Sequence, residues 1–142
     1  MFYVFDLDGT IADVEARRHF VAGAMKDWRS FYRSCVTDRP NVPVIAALKA
    51  HVDAGHRVEI WSGRSDEVKG ETEAWLEAHG ICPSLLIYMR DEGDYTPDDE
   101  LKRRWLKASD RRPDAVYDDR NKVVAMWRAE GIACFQVAPG DF

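Results

Sequence analysis

With 142 residues, 46% hydrophobic and 32% charged content, the chain has the dimensions of one compact domain, and a second independent domain would not fit. A net charge of -5 and a pI near 5.4 exclude a generic polyanion binder, so any nucleic-acid contact has to rest on a local patch. Cys35, Cys82 and Cys134 are odd in number and lack Cys-x-x-Cys spacing, and His19, His51, His56 and His79 lack metal-ligand spacing, which argues against a disulfide framework or a zinc site.

No stretch approaches the roughly 20 apolar residues of a membrane span, and the N-terminus opens into a strand rather than a signal peptide. A soluble, cytoplasmic protein without a membrane partner is expected.

The opening run Phe2-Tyr3-Val4-Phe5 predicts a strand, and it leads straight into Asp6-Leu7-Asp8-Gly9-Thr10. Residues two apart on an extended segment point to the same side, so both carboxylates can face one site before Gly9-Thr10 turns the chain. One carboxylate can attack phosphorus while the other handles the proton, and together they make a hard oxygen site suited to Mg²⁺. The competing explanation is a polar turn that merely ends a strand. Residues 13–42 form the only long insertion between core elements, with Val14, Val21, Met25, Trp28 and Tyr32 expected along one apolar helical face. They read as a small cap or lid, as an aromatic face packed on the sheet edge, or as both. The insertion holds six basic and four acidic residues, a net of +2 that leaves -7 for the remainder.

Pro43 begins a helix through Val44 and Val52, closed by Gly55. Arg57 to Trp61 alternates as a strand and runs into Ser62-Gly63-Arg64, after which Val68, Thr72, Trp75 and Leu76 mark a helix closed by Gly80. Leu85 to Met89 predicts a third strand, followed by Arg90. Thr96-Pro97-Asp98-Asp99 predicts a helix start with a capping hydroxyl and acids near the positive dipole end, and Leu101, Trp105 and Leu106 supply its apolar face. Ala115-Val116-Tyr117 is the next strand and ends at Asp118-Asp119-Arg120. A helix carrying Val123, Val124 and Trp127 runs to Gly131, and Ala133 to Val137 is the last strand.

This alternation predicts an α/β fold: a Rossmann-like, parallel five-stranded sheet with helices on both faces and the small helical cap after strand one. Ligands in such sheets sit beyond the carboxyl ends of the strands. Asp6, Asp8, Ser62, Arg64, Arg90, Asp118 and Asp119 all fall at such ends, so they are expected to converge.

Asp-x-Asp-Gly-Thr, Ser62, a helical Lys102 and Asp118-Asp119 together resemble the four motifs of the haloacid dehalogenase (HAD) phosphohydrolase superfamily, over residues 2 to 137. Ser62-Gly63-Arg64, Arg90 to Asp94, Asp98-Asp99-x-x-Lys102 and the stretch from Asp118 through Trp127-Arg128 to Phe142 resemble the phosphatase half of bacteriophage polynucleotide kinase/phosphatase. No Gly-x-x-x-x-Gly-Lys-Ser/Thr loop occurs, so kinase machinery is not visible.

The resemblance implies a Mg²⁺-dependent phosphomonoesterase in which Asp6 forms an aspartyl-phosphate and Asp8 acts as general acid and base. It implies Asp6, the Asp8 main-chain carbonyl and Asp118 as metal ligands, with Asp119 supporting them, and Ser62 and Lys102 on the phosphoryl group. Alone, Ser62 reads as a turn residue and Lys102 as an ordinary helical lysine. Arg64 and Arg90 are expected to hold the substrate phosphate or the flanking nucleotide, with Gly63 and Asp98 also in the substrate site and Arg17 reaching down from the lid. Asp98 either orients Lys102 or an arginine or simply stabilises its helix. Arg120 is expected to pair with a neighbouring acid, and Trp127 and Arg128 to be structural. Trp28, Phe31 or Tyr32 can stack on a base, with core packing as the competing role.

The implied substrates are 3′-phosphorylated DNA or RNA ends in nucleic-acid repair. A phosphatase of free nucleotides or another small metabolite, and a non-catalytic binding module of the same fold, stay as alternatives. So do a homodimer and a separate kinase or ligase partner.

Overall fold

A computed structural model describes all residues 1–142. Its centre is a five-stranded parallel sheet of β1 (Phe2–Phe5), β4 (Arg57–Ser65), β5 (Leu86–Arg90), β6 (Ala115–Asp118) and β7 (Ala133–Gln136), in the order β5-β4-β1-β6-β7. β1 lies in the middle, registering Phe5 with Ile60 on β4 and with Tyr117 on β6. The chain moves outward from β1 in one direction and then returns to build the other half. The strand order therefore reverses at β1, opening a crevice at its carboxyl end.

Alternation along the strands sends side chains to two cores. Phe2, Val4, Trp61 and Val116 face α4 (Asp98–Ala108) and α5 (Asn121–Ala129), whereas Phe5, Val58 and Ile60 face α2 (Val42–Asp53) and α3 (Lys69–Ala78). Glu59 shares the Trp61 side and is buried, with its carboxylate satisfied by Trp61 Nε1 at 2.7 Å and Arg57 Nη2 at 2.6 Å. No helix is long and apolar enough to cross a membrane.

The insertion between β1 and α2 holds a two-residue strand pair, β2 (Ala12–Asp13) with β3 (Arg39–Pro40), two 3-10 turns at Glu15–Phe20 and Ser34–Thr37, and α1 (Trp28–Arg33). Its own small core is Val14, Val21 and Phe31, flanked by Phe20, Trp28, Tyr32 and Phe142. Met25, expected on that face, is 94% exposed, and Phe31 takes the buried place.

Other local expectations shift for physical reasons. α2 starts at Val42, one residue before Pro43, because a proline within the first turn lacks only an N–H that the helix does not use there. Thr96 does not cap α4: Pro97 occupies the cap position, and the Thr96 hydroxyl donates to Asp94 Oδ1 at 2.6 Å. β4 runs four residues beyond Trp61, with register shifts against β5 between Ile60 and Trp61 and between Ser62 and Ser65.

Candidate active site

The carboxyl ends of β1, β4 and β6 surround a cleft of about 390 Å³, lined among others by Asp6, Asp8, Gly63, Arg64, Arg90, Asp98 and Asp119. Asp6 is buried on its floor, extends β1 by donating its N–H to Tyr117 O at 2.9 Å, and accepts Lys102 Nζ at 2.7 Å. Lys102, from the second turn of α4, also donates to Asp118 Oδ2 at 2.9 Å and lies 3.6 Å from Asp98. Oxygen atoms of Asp6, Asp118 and Asp119 all lie within 4.8 Å of one another.

Local backbone chemistry fixes this floor. The tail of β6 turns so that Asp118 Oδ1 accepts the main-chain N–H groups of Asp119 at 2.9 Å and Arg120 at 3.3 Å, while Trp127 Nε1 reaches Oδ2 at 3.3 Å. Gly9 has φ +85°, and a Cβ there would sit 2.0 Å from Asp119 Oδ2, so only glycine permits both the turn and the approach. Gly63 is a second close approach: its Cβ would lie 2.1 Å from Asp98 Oδ1.

Three carboxylates and one ammonium leave excess negative charge in a desolvated place. Burial pushes Asp6 well above the usual carboxylate range, the Lys102 charge opposes this, and Asp118 and Asp119 add to the rise. Burial and Asp118 push Asp119 up to about 7. Burial disfavours the Lys102 ammonium, but Asp118 and Asp6 outweigh it and raise Lys102 well above its ordinary value.

Asp8 lives in a different environment. Arg17 Nη2 donates to it at 2.6 Å and Arg64 Nη2 at 2.5 Å, and both guanidiniums also reach Asp38, Arg17 through 2.7 and 2.6 Å contacts and Arg64 at 3.4 Å. Two acids and two arginines thus form a charge-balanced buried quartet. Burial pushes Asp8 up, but the Arg64 and Arg17 charges outweigh it and hold the carboxyl well below its ordinary range.

The structure engages the expected substrate arginines with protein acceptors. Arg17 additionally bonds Phe31 O, and Arg64 bonds Thr72 Oγ1 at 3.0 Å. Arg90 donates to Gly63 O, Asp94 O and Thr96 O, and faces Asp98 at 3.5 Å. Ser62 is fully buried, with its hydroxyl accepting the Arg64 N–H at 3.1 Å. Arg120 does not pair with an acid as expected. It donates to Phe142 O at 2.6 Å and lies over the Phe142 and Trp28 rings, because the chain's last residues pass beside it. Trp127, expected to be structural, is fully buried and donates to Asp118 on the floor of the site, whereas Arg128 donates to Cys134 O. The three cysteines are free thiols.

Sequence reasoning missed Asp38 and Thr72. Asp38 sits in an unremarkable polar turn, 21 residues from Arg17, and Thr72 reads only as a helix-face residue.

A family model described as the polynucleotide kinase PNKP phosphatase domain matches residues 1–142. A chain from a solved Pnkp1/Rnl/Hen1 RNA repair complex is 33% identical with a TM-score of 0.84, covering 99% of this chain and 43% of that one. A second Pnkp1/Rnl/Hen1 complex gives 33% identity and a TM-score of 0.82, over 99% of this chain and 46% of that one. The present chain therefore spans less than half the length of these relatives. The class C acid phosphatase from Bacillus anthracis shares the fold at 17% identity and a TM-score of 0.66, covering 97% of this chain and 65% of that one.

Proposed function

The chain belongs to the polynucleotide kinase PNKP phosphatase domain family and is a phosphatase of the HAD type. From that premise we propose that it removes 3′-phosphates from RNA or DNA ends in strand repair, through a phosphoryl group carried on Asp6. The observation that carries this reading is the Asp6 carboxylate at the end of the central strand, held by Lys102 at 2.7 Å and sharing one cleft with Asp8.

An Asp6 oxygen attacks phosphorus, the bond from phosphorus to the 3′ oxygen breaks, and that oxygen takes a proton from Asp8. Asp8 then removes a proton from the water that attacks phosphorus, which regenerates the Asp6 carboxylate and releases inorganic phosphate. Two residues, rather than one, are needed because a carboxylate bonded to phosphorus cannot also manage the proton. Asp8 must first be protonated, and the Arg17 and Arg64 charges oppose that. A phosphate entering the cleft offers the Arg64 guanidinium, which lines it, a second anion, and every contact that Arg64 shifts to it frees Asp8 to take up its proton. Lys102 orients Asp6 and offsets charge as the phosphoryl group transfers.

The floor fits Mg²⁺: its donors are all oxygen, its charge is in excess, and no protein donor reaches the Asp8 main-chain carbonyl. Asp6, Asp118, Asp119 and that carbonyl would hold the ion, which when bound supplies positive charge against anion–anion repulsion. Three free thiols suit a reducing compartment such as the cytoplasm. A separate repair chain as working partner, a kinase or a ligase by expectation, agrees with the matched relatives' place in Pnkp1/Rnl/Hen1 complexes.

A cleft of about 390 Å³ is sized for one nucleotide, which favours free nucleotides as the second reading. Phosphate release from 3′-phosphorylated oligonucleotides, 5′-phosphorylated oligonucleotides and free nucleotides, with and without Mg²⁺, separates the two. The 3′-phosphorylated oligonucleotide should be preferred and the reaction should need the metal; a strong preference for free nucleotides overturns the repair reading.

A further inference from the structure

The rim of the cleft is divided by charge in a way that hydrolysis of a phosphate monoester does not require. Lys26, Arg120 and Lys122 line it together with Trp28, and Asp91, Glu92 and Asp94 line it from the β5–α4 connection. On the cationic arc the lid meets the loop after β6: the Trp28 ring lies 5.8 Å from Lys26 Nζ and 5.7 Å from Arg120 Cζ. On the acidic arc Glu92 N donates to Asp66 Oδ1 at 2.9 Å, which ties the turn to the end of β4. Surface ion pairs join the arcs, Arg29–Glu67 at 3.7 Å on the lid side and Lys122–Asp99 at 3.7 Å on the α4 side.

The cleft holds about one nucleotide, so a longer chain has to leave across this rim. Single strands are held where a positive surface follows the phosphates and an aromatic ring receives a base. Trp28 has the required setting. It is half-buried, with Tyr32 stacked beside it at 6.0 Å and Phe31 edge-on at 5.6 Å, and cations flank it. Lys26, Asp91 and Glu92 are exposed and make no ion pair within the protein, so their charges are free to act on a ligand.

We propose that the cationic arc is a track for the phosphodiesters that adjoin the 3′ end of a single-stranded polynucleotide, with its terminal base against Trp28. The acidic arc repels the complementary strand of a duplex end. This rests on the polynucleotide reading above. It makes Lys26, Trp28 and Lys122 specificity-determining residues and assigns strand selection to Asp91 and Glu92.

The test measures kcat/KM for a 3′-phosphorylated single strand, a blunt duplex of the same sequence and p-nitrophenyl phosphate, at several salt concentrations. In the Lys26→Ala/Lys122→Ala variant the ratio of single-strand to p-nitrophenyl phosphate kcat/KM should fall about tenfold. The logarithmic salt dependence should flatten by about 1.4, since each lost phosphate contact removes about 0.7 for a single strand. In the Asp91→Lys/Glu92→Lys variant the duplex-to-single-strand ratio should rise at least fivefold. These side chains are exposed, and equal melting temperatures establish that the variants fold.

An intact wild-type preference for oligonucleotides, with both ratios and the salt slope unchanged in the variants, overturns the track and leaves the phosphatase reading standing. A wild-type enzyme that hydrolyses p-nitrophenyl phosphate but does not favour oligonucleotides overturns the track and the polynucleotide reading together, while remaining a phosphatase.

Discussion

Replacing Asp38 by asparagine tests the buried quartet directly. Asp38 is 8% exposed and receives Arg17 at 2.7 and 2.6 Å, with Arg64 at 3.4 Å. Asp38→Asn keeps the shape, removes one negative charge, and turns an amide NH₂ toward a guanidinium that can only donate. Removing one partner of a buried pair costs about 3–5 kcal/mol. Burial already pushes the Asp38 carboxyl up against the Arg17 charge, so its ionised form is partly penalised in the wild type and the lower end applies. An unfolding entropy of about 2.1 cal/mol/K per residue gives about 0.3 kcal/mol/K for this chain, so 3 kcal/mol lowers Tm by about 10 °C. Turnover should fall as well. With Asp38 neutral, both guanidiniums concentrate on Asp8 and hold it further from protonation, at an expected cost of about tenfold in kcat, a part of the roughly 10²–10⁴-fold that acid–base catalysis contributes as a whole. Thermal melts followed by circular dichroism, together with phosphate-release kinetics, read the two effects. A Tm within 2 °C of wild type with unchanged kcat would refute the reasoning.

Asp6→Asn should reduce turnover by about 10³-fold or more, as loss of a nucleophile does, while the melt stays within a few degrees because a carboxylate is removed from a crowded acidic floor; substantial residual turnover removes Asp6 from its role. Gly63→Ala would place a methyl group against Asp98 and, through it, disturb Lys102 and Arg90. A loss of about 1–3 kcal/mol from overpacking is expected, with lower kcat, and a variant melting like wild type with full turnover would contradict the contact. Asp119, pushed up to about 7, binds a proton in the folded state that the unfolded chain releases near the ordinary carboxylate value. Its contribution is present below about pH 4 and is lost as pH rises toward 7, so metal-free protein should lose Tm across that window and Mg²⁺ should restore it at pH 7. A metal-free Tm that is flat or climbing, with no response to Mg²⁺ at pH 7, would count against a cation site here.

Much of the site was legible because its chemistry is carried by short motifs at strand ends. Asp6 and Asp8 are two residues apart on one extended segment, and Asp118-Asp119 follow another, so local geometry plus the parallel-sheet rule already aimed them at one crevice. The helix boundaries were less legible where a proline or a local hydrogen bond intervened, as at Pro43 and at Thr96, whose hydroxyl turns to Asp94.

Strand and helix order, the apolar faces of both cores and the position of the carboxylates follow from periodicity and from residues that act within a few positions of one another. The partners of Arg17, Arg64, Arg90 and Arg120 do not. A guanidinium takes whichever acceptors the fold brings within reach, and Asp38, Gly63 O and Phe142 O lie 21 to 27 residues from Arg17, Arg90 and Arg120, which bind them. Charge balance among buried groups is a property of their three-dimensional company, so the environment that makes Asp8 acidic and Asp119 easily protonated was settled only when the chain folded.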